Sequence, residues 1–253
     1  MNLANALAAE LLKLRRSAVW VVVLILPLLS VITGTVNYVM NAGVLDSDWD
    51  SYWSQVTLFY GLIFGSVGIA VLCSAMWRME HLGNWPRLMS GPTATWQVVA
   101  AKLGGLALLV AAMQAALFFF AWIAGVAFAG MSLAIPGRFA VGAFVAALAG
   151  LSVAALHSLV SMLVRSFAAP VAVAVFGCVV AVGLLLSGTS SVLSSLVPYA
   201  LLTQSLSLGS SAFSDSVALS WAEVAKVAAP SLALALVLTA LAAAILDRRE
   251  IWA

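Results

Sequence analysis

Charge is the scarcest thing in this chain. Asp, Glu, Lys and Arg make up 8% of its 253 residues, where a soluble domain carries about 25%. So little charge cannot cover a surface that faces water, which excludes a soluble globular fold. Cysteine is almost missing. Cys73 and Cys178 both sit in apolar runs, which speaks against a disulfide framework and a cysteine-based metal site. The only histidines are His81 and His157, too few for haem or metal ligation. There is no GxxxxGK[ST] phosphate loop, so the chain does not cradle ATP itself. No GxSxG occurs either; His157 and Ser161 share a helix face, but no oxyanion donors accompany them, and the chain does not read as an enzyme. Finally, no acid or base lies at the centre of an apolar run. An ion-coupled transporter places its relay there. No cofactor, metal or nucleic-acid partner is expected.

What remains is oil, at 64% hydrophobic residues, in runs of roughly 20 residues, the length that crosses the hydrocarbon as helix. The reading is an all-α integral membrane protein, one domain over 1–253, with six spans at about 17–38, 56–76, 103–128, 139–163, 168–186 and 223–246. Ahead of the first span, Leu3, Leu7, Leu11 and Leu14 share one helix face, with Lys13, Arg15 and Arg16 beside it. Such a helix lies in the membrane interface. No small-x-small site closes the first apolar run, so it reads as a retained helix rather than a cleaved signal.

Between spans one and two, Asp46, Asp48 and Asp50 alternate like a calcium loop, but Ser51 and Thr57 stand where Gly and Glu belong. Trp49, Tyr52 and Trp53 fit an interfacial aromatic belt. Gly61, Gly65 and Gly68 in span two, and Gly142, Ala146, Gly150 and Ala154 in span four, suit close helix packing. Gln114 and His157 are the polar residues inside spans and are candidates to face a transport pathway. The semi-apolar piece Val192–Leu206 is too short and Ser-rich to cross. It reads as a segment lying at the outer interface or dipping into the membrane.

Sidedness follows from the basic residues. Lys13, Arg15, Arg16, Arg78, Arg87, Lys102, Arg165, Arg248 and Arg249 fall in the inner segments of a six-span chain; Arg138 and Lys226 fall in the outer ones. This predicts both termini in the cytoplasm of a plasma-membrane protein.

The stretch from Trp77 to Lys102 is the main polar island. Its Glu80, Trp85, Leu88, Pro92 and Lys102 reproduce an E…W-x-x-L…P…K pattern. Together with KLRR before span one, LHSLVSMLVRSFAAP closing span four, and the terminal DRREIW, the layout resembles the ABC-2 type permeases, in particular the lantibiotic-immunity and bacitracin-type export group. Many relatives carry two acidic residues and Gly-Thr after span two, where this chain has MEHLGNW. The resemblance implies a half-transporter: two permease chains, identical or paralogous, on two ATP-binding-cassette subunits that hold the ATP and Mg. It implies a coupling helix within about 83–90, with Trp85 and Leu88 as apolar plugs and Arg87 as a charged contact. Glu80 and Pro92 would flank it, and Pro86 suits a first helical turn. The implied cargo is amphipathic or hydrophobic, such as a peptide antibiotic moved outward for self-immunity or resistance. Two other readings stay open: an ion-coupled transporter or channel, and a membrane assembly subunit that transports nothing.

Overall fold

In the computed structural model, residues 2–84, 93–187, 191–208 and 219–248 are described. Among them every regular element is helical. The first helix, α1 (Leu3–Leu14), is capped by Asn2, whose side chain accepts from the Asn5 N–H at 3.0 Å. Helix α2 (Val19–Met40) continues through Pro27. Helix α3 (Trp49–Phe59) runs into a π-helical turn, Tyr60–Phe64, and on into α4 (Gly65–Met79), which ends in a second wide turn, Glu80–Asn84. Then come α5 (Thr95–Phe128), α6 (Gly137–Leu163) and α7 (Ala168–Leu186). Two short helices follow, α8 (Ser191–Ser195) and α9 (Pro198–Leu206), before the long α10 (Trp221–Arg248).

Six helical runs are long and apolar enough to cross a membrane: α2, the continuous run Trp49–Leu82, α5, α6, α7 and α10. This is the all-helical, six-span architecture expected. Helix α6 sits at the centre, packed on α4, α5, α9 and α10. Small residues allow that position. A Cβ on Gly150 would stand 2.6 Å from Val110 Cγ1 of α5, so no larger residue fits without displacing a neighbour. A close backbone crossing joins α2 to α3, where a Cβ on Gly34 would meet Val56 Cα at 2.5 Å. Ser30 Oγ seals the same crossing by donating to the Val56 carbonyl at 2.8 Å.

One expectation is corrected. Trp49, Tyr52 and Trp53 are not an interfacial belt on a loop. Asp48 caps α3 there, accepting from the Ser51 N–H at 2.8 Å, and all three aromatics are buried in the core. Trp53 stacks on Phe139 with ring centres 5.0 Å apart, and Tyr52 shares a hydrogen bond with Thr35 at 2.9 Å. The acidic loop is spent locally: Asp48 is the cap, and Asp50 pairs with Arg138. Helix α1 packs on the bundle by only part of its leucine row, with Leu7 against Gly104 and Leu14 buried. Leu3 and Leu11 are exposed, while Ala6, Glu10 and Leu14 are buried. The glycine face of span two, read as suited to close packing, is packed within the chain itself. Gly61 abuts Thr203 of α9, Gly65 abuts the Tyr60 ring, and Gly68 abuts Leu26 and Met113. It is not a free face for a second permease chain.

The segment expected to lie at the interface or dip inward resolves into α8 and α9, and α9 dips. Its start is deep, with the Tyr199 ring against Gly177 midway along α7 and the Tyr199 hydroxyl bonded to His157 Nε2 at 2.9 Å. Its end returns towards the starts of α3 and α6, where Leu206 O accepts from Trp53 Nε1 at 3.3 Å.

Candidate coupling site

The end of the bundle that holds α1 also holds both roots of the polar island. The N-terminal root is the turn Glu80–Asn84, and the C-terminal root is the start of α5 at Thr95. Trp85, Pro86, Arg87, Leu88 and Pro92, the residues implied in docking, lie outside the described residues. Glu80 is described, and so is Lys102.

Glu10 and Lys13 are three apart on α1 and therefore share a face. That face lies against α5, where a Cβ on Gly104 would stand 2.8 Å from Leu7 Cδ1. Here four side chains close a ring. Lys13 Nζ donates to Glu10 Oε1 at 2.6 Å and to Glu80 Oε1 at 2.8 Å. Lys102 Nζ donates to Glu80 Oε1 at 2.9 Å and to Glu10 Oε2 at 3.2 Å. Two carboxylates face two ammonium groups, so the ring is neutral.

The ring is also enclosed. The Lys102 side chain has no exposed surface and that of Glu80 has 2%, whereas Lys13 keeps 31%. The Lys102 ammonium lies 5.0 Å from the centre of the Trp77 ring, a favourable site for a cation. Trp77 is itself fixed, its Nε1 donating to Ser158 Oγ of α6 at 2.7 Å. Burial alone works to lower the Lys13 pKa; hydrogen bonds and charge from Glu10 and Glu80 outweigh it and raise the group above its ordinary value. An enclosed pair contributes only when each charge is answered, and each of these is.

Other ties radiate from the same roots. His81 Nε2 is bonded to the Ser161 carbonyl of α6 at 2.8 Å. Thr95 Oγ1 donates to Asp247 Oδ1 of α10 at 2.9 Å. The Arg78 guanidinium lies 5.8 Å from the Phe167 ring in the α6–α7 connection. The two roots of the polar island are therefore fastened to α1, α6 and α10. The geometry is that of a mechanical junction.

The two candidate pathway residues are apart from this junction and are each paired in the core. Gln114 Nε2 donates to Tyr60 OH at 3.0 Å, and Gln114 borders a cavity of about 260 Å³ between α5 and α6. His157 is fully buried and bonds Tyr199. Among the described residues, the buried atoms Gln114 Oε1 and His157 Nδ1 have no hydrogen-bond partner. Towards the other end of the bundle, α3, α7 and α9 enclose a cavity of about 400 Å³. Leu58, Leu62, Val182 and Leu186 line it beside Gln55, Thr57, Thr203 and Ser207.

Sequence reasoning missed Glu10. One signal was present: it is the only acid on an otherwise apolar helix, and it stands three residues before a lysine. Lys102 was legible only as the end of a loop pattern, and nothing local marks it as enclosed.

A family model described as ABC-2 family transporter protein matches residues 6–181. The match runs from α1 into α7 and contains all four members of the ring. No curated protein matches the chain.

Proposed function

The chain belongs to the ABC-2 transporter family, and from that premise we propose that it is the permease half of an ATP-driven exporter, gripped through residues 83–90. Membership makes it a multi-pass membrane subunit of an ABC transporter, a class that works with an ATP-binding-cassette partner. The rest of this reading is ours. Both termini face the cytoplasm, two permease chains pair, and the ATP and Mg are held by the partner.

The observation that carries the proposal is the ring of Glu10, Lys13, Glu80 and Lys102. It binds the roots of the polar island to the N-terminal helix. ATP-driven closure of two cassettes is a movement at the membrane surface. To reorient spans, it needs a stiff connection from the gripped loop into the bundle, because packed elements move as bodies between discrete arrangements. Within this reading Glu80 holds the root of the docking loop, and Trp85, Leu88 and Arg87 make the contact.

The cargo is amphipathic or hydrophobic, such as a peptide antibiotic. The cavity between α3, α7 and α9 supports this class, since aliphatic walls stand beside uncharged hydroxyls and an amide. Self-immunity or resistance would be the biological setting.

The test is co-purification with the partner ATPase from native membranes. Trp85→Asp and Leu88→Asp each place a charge in an apolar contact, and each is expected to release the ATPase while the permease stays monodisperse. Full retention of the ATPase by both variants would overturn the docking assignment. Substrate flux driven by an ion gradient in ATP-free vesicles would favour the ion-coupled reading instead.

A further inference from the structure

We infer that α1 is a detachable arm, because the four-charge ring divides into two neutral pairs along the boundary between α1 and the bundle. One pair, Glu10 with Lys13, lies wholly on α1 at 2.6 Å. The other, Glu80 with Lys102, lies wholly on the bundle at 2.9 Å. Within the ring, two bonds cross the boundary, Lys13 to Glu80 at 2.8 Å and Lys102 to Glu10 at 3.2 Å.

The division matters because of what an enclosed charge costs when its partner leaves. Had α1 supplied two lysines and the bundle two glutamates, separation would strand two like charges on each side. Here each side keeps a donor and an acceptor already within bonding distance. Lifting α1 away therefore leaves no net charge in the bundle. Lys102 also keeps its seat over Trp77, 5.0 Å from the ring centre, which owes nothing to α1.

The remaining grip on the arm is its packing along α5. Its buried apolar side chains are Ala6 and Leu14, with Leu7 resting on Gly104. Leu14 is the pivot, since its carbonyl accepts from Trp20 Nε1 of α2 at 2.9 Å. Helix α1 ends at Leu14 and α2 begins at Val19, and the short connection between them is where the arm would turn. Lys13, the most exposed member of the ring at 31%, sits where water would enter first. With α1 lifted, Glu80 and Lys102 still join the two roots of the loop. The loop thus keeps its anchorage in either state, and what changes is whether α1 moves with it.

This inference does not depend on where an ATPase grips; co-purification tests that reading, and a thiol-labelling rate tests this one. The full-length chain, with Cys73→Ala and Cys178→Ala, receives a single reporter, Ala6→Cys, on the face that α1 buries. A charged maleimide is then applied in detergent. The pair Glu10→Lys with Lys13→Glu keeps the arm neutral but turns both crossing bonds into like-charge contacts. It is expected to raise the labelling rate about tenfold, the effect of roughly one broken crossing bond, while the protein stays monodisperse. Glu10→Gln with Lys13→Gln is expected to act in the same direction with a smaller factor. Labelling as slow as the parent's in both variants would overturn the inference. So would aggregation of both, since the bundle would then need the arm in order to stand.

Discussion

Lys102 places its ammonium where no side-chain surface is exposed, among groups from α1, α4 and the turn after it. Its partner Glu80 accepts from two lysines through one oxygen. Glu80→Gln therefore leaves two ammonium groups facing the single carboxylate of Glu10, and loss of one member of an enclosed pair costs about 3–5 kcal/mol. Lys102→Met leaves the opposite excess. The double variant removes the bundle's own pair and is expected to melt above either single variant, read by tryptophan fluorescence in detergent. A double variant as unstable as the sum of the singles would show that the two side chains do not act as a pair. Lys13 has its pKa raised above 10.5 on folding, so its contribution is complete below that value and is lost only as pH climbs past it. Little of this was legible. Helical periodicity tracks apolar positions and picks out the Leu3–Leu14 row, of which Leu7 and Leu14 pack; the informative residue beside them is a carboxylate, which an apolar pattern does not mark.

At the scale of elements, the second span is the least regular. Its turn Tyr60–Phe64 is wider than an α-helical one, and the Gly65 N–H reaches back five residues to the Tyr60 carbonyl. The Gly61 carbonyl accepts instead from Thr203 Oγ1 of α9 at 3.1 Å. The bulge thus gives the dipping segment a handle on span two, on the helix that leads to the ring. Such bulges act as one-residue insertions and gather at functional sites. Deleting Ile63, which is 41% exposed, should restore a regular helix. The expected result is a chain as stable as the parent, with reduced substrate transport in reconstituted vesicles. Undiminished transport would make the bulge a passive feature. The length and apolarity of the spans were plain in the sequence, because six runs of oil have one sensible use. The start of span two was not. Trp49, Tyr52, Trp53, Val56 and Tyr60 follow helical spacing, yet acids beside aromatics read as a loop at the membrane surface until Asp48 is recognised as a cap. The glycines were legible as small residues for close contact, but which neighbour each one meets depends on α9, whose path no local pattern encodes.

For the molecule as a whole, the basic residues divide between two ends. Lys13, Arg15, Arg16, Arg78, Lys102, Arg165 and Arg248 lie at the end with α1, and Arg138 and Lys226 at the other, among the described residues. If the first end is cytoplasmic, Ser47→Cys and Ser90→Cys must differ. An impermeant thiol reagent applied to intact cells is expected to label the first and spare the second, and equal labelling would refute the sidedness. Helices α7 and α10 bury the least of their surface among the spans, with Phe176 71% and Leu236 72% exposed. Those faces are left to lipid or to a second chain. The ring also leaves a mark on the protein's outer chemistry. It draws Lys13 and Lys102 inward, and the chain's remaining lysine, Lys226, is exposed at the far end. Acylation, amine cross-linking and lysine-directed proteolysis are thereby steered towards Lys226, with Lys13 only partly accessible. The described surface around the loop roots presents its positive charge as arginine, a guanidinium that such reagents pass over and that keeps its proton at any pH a cell reaches.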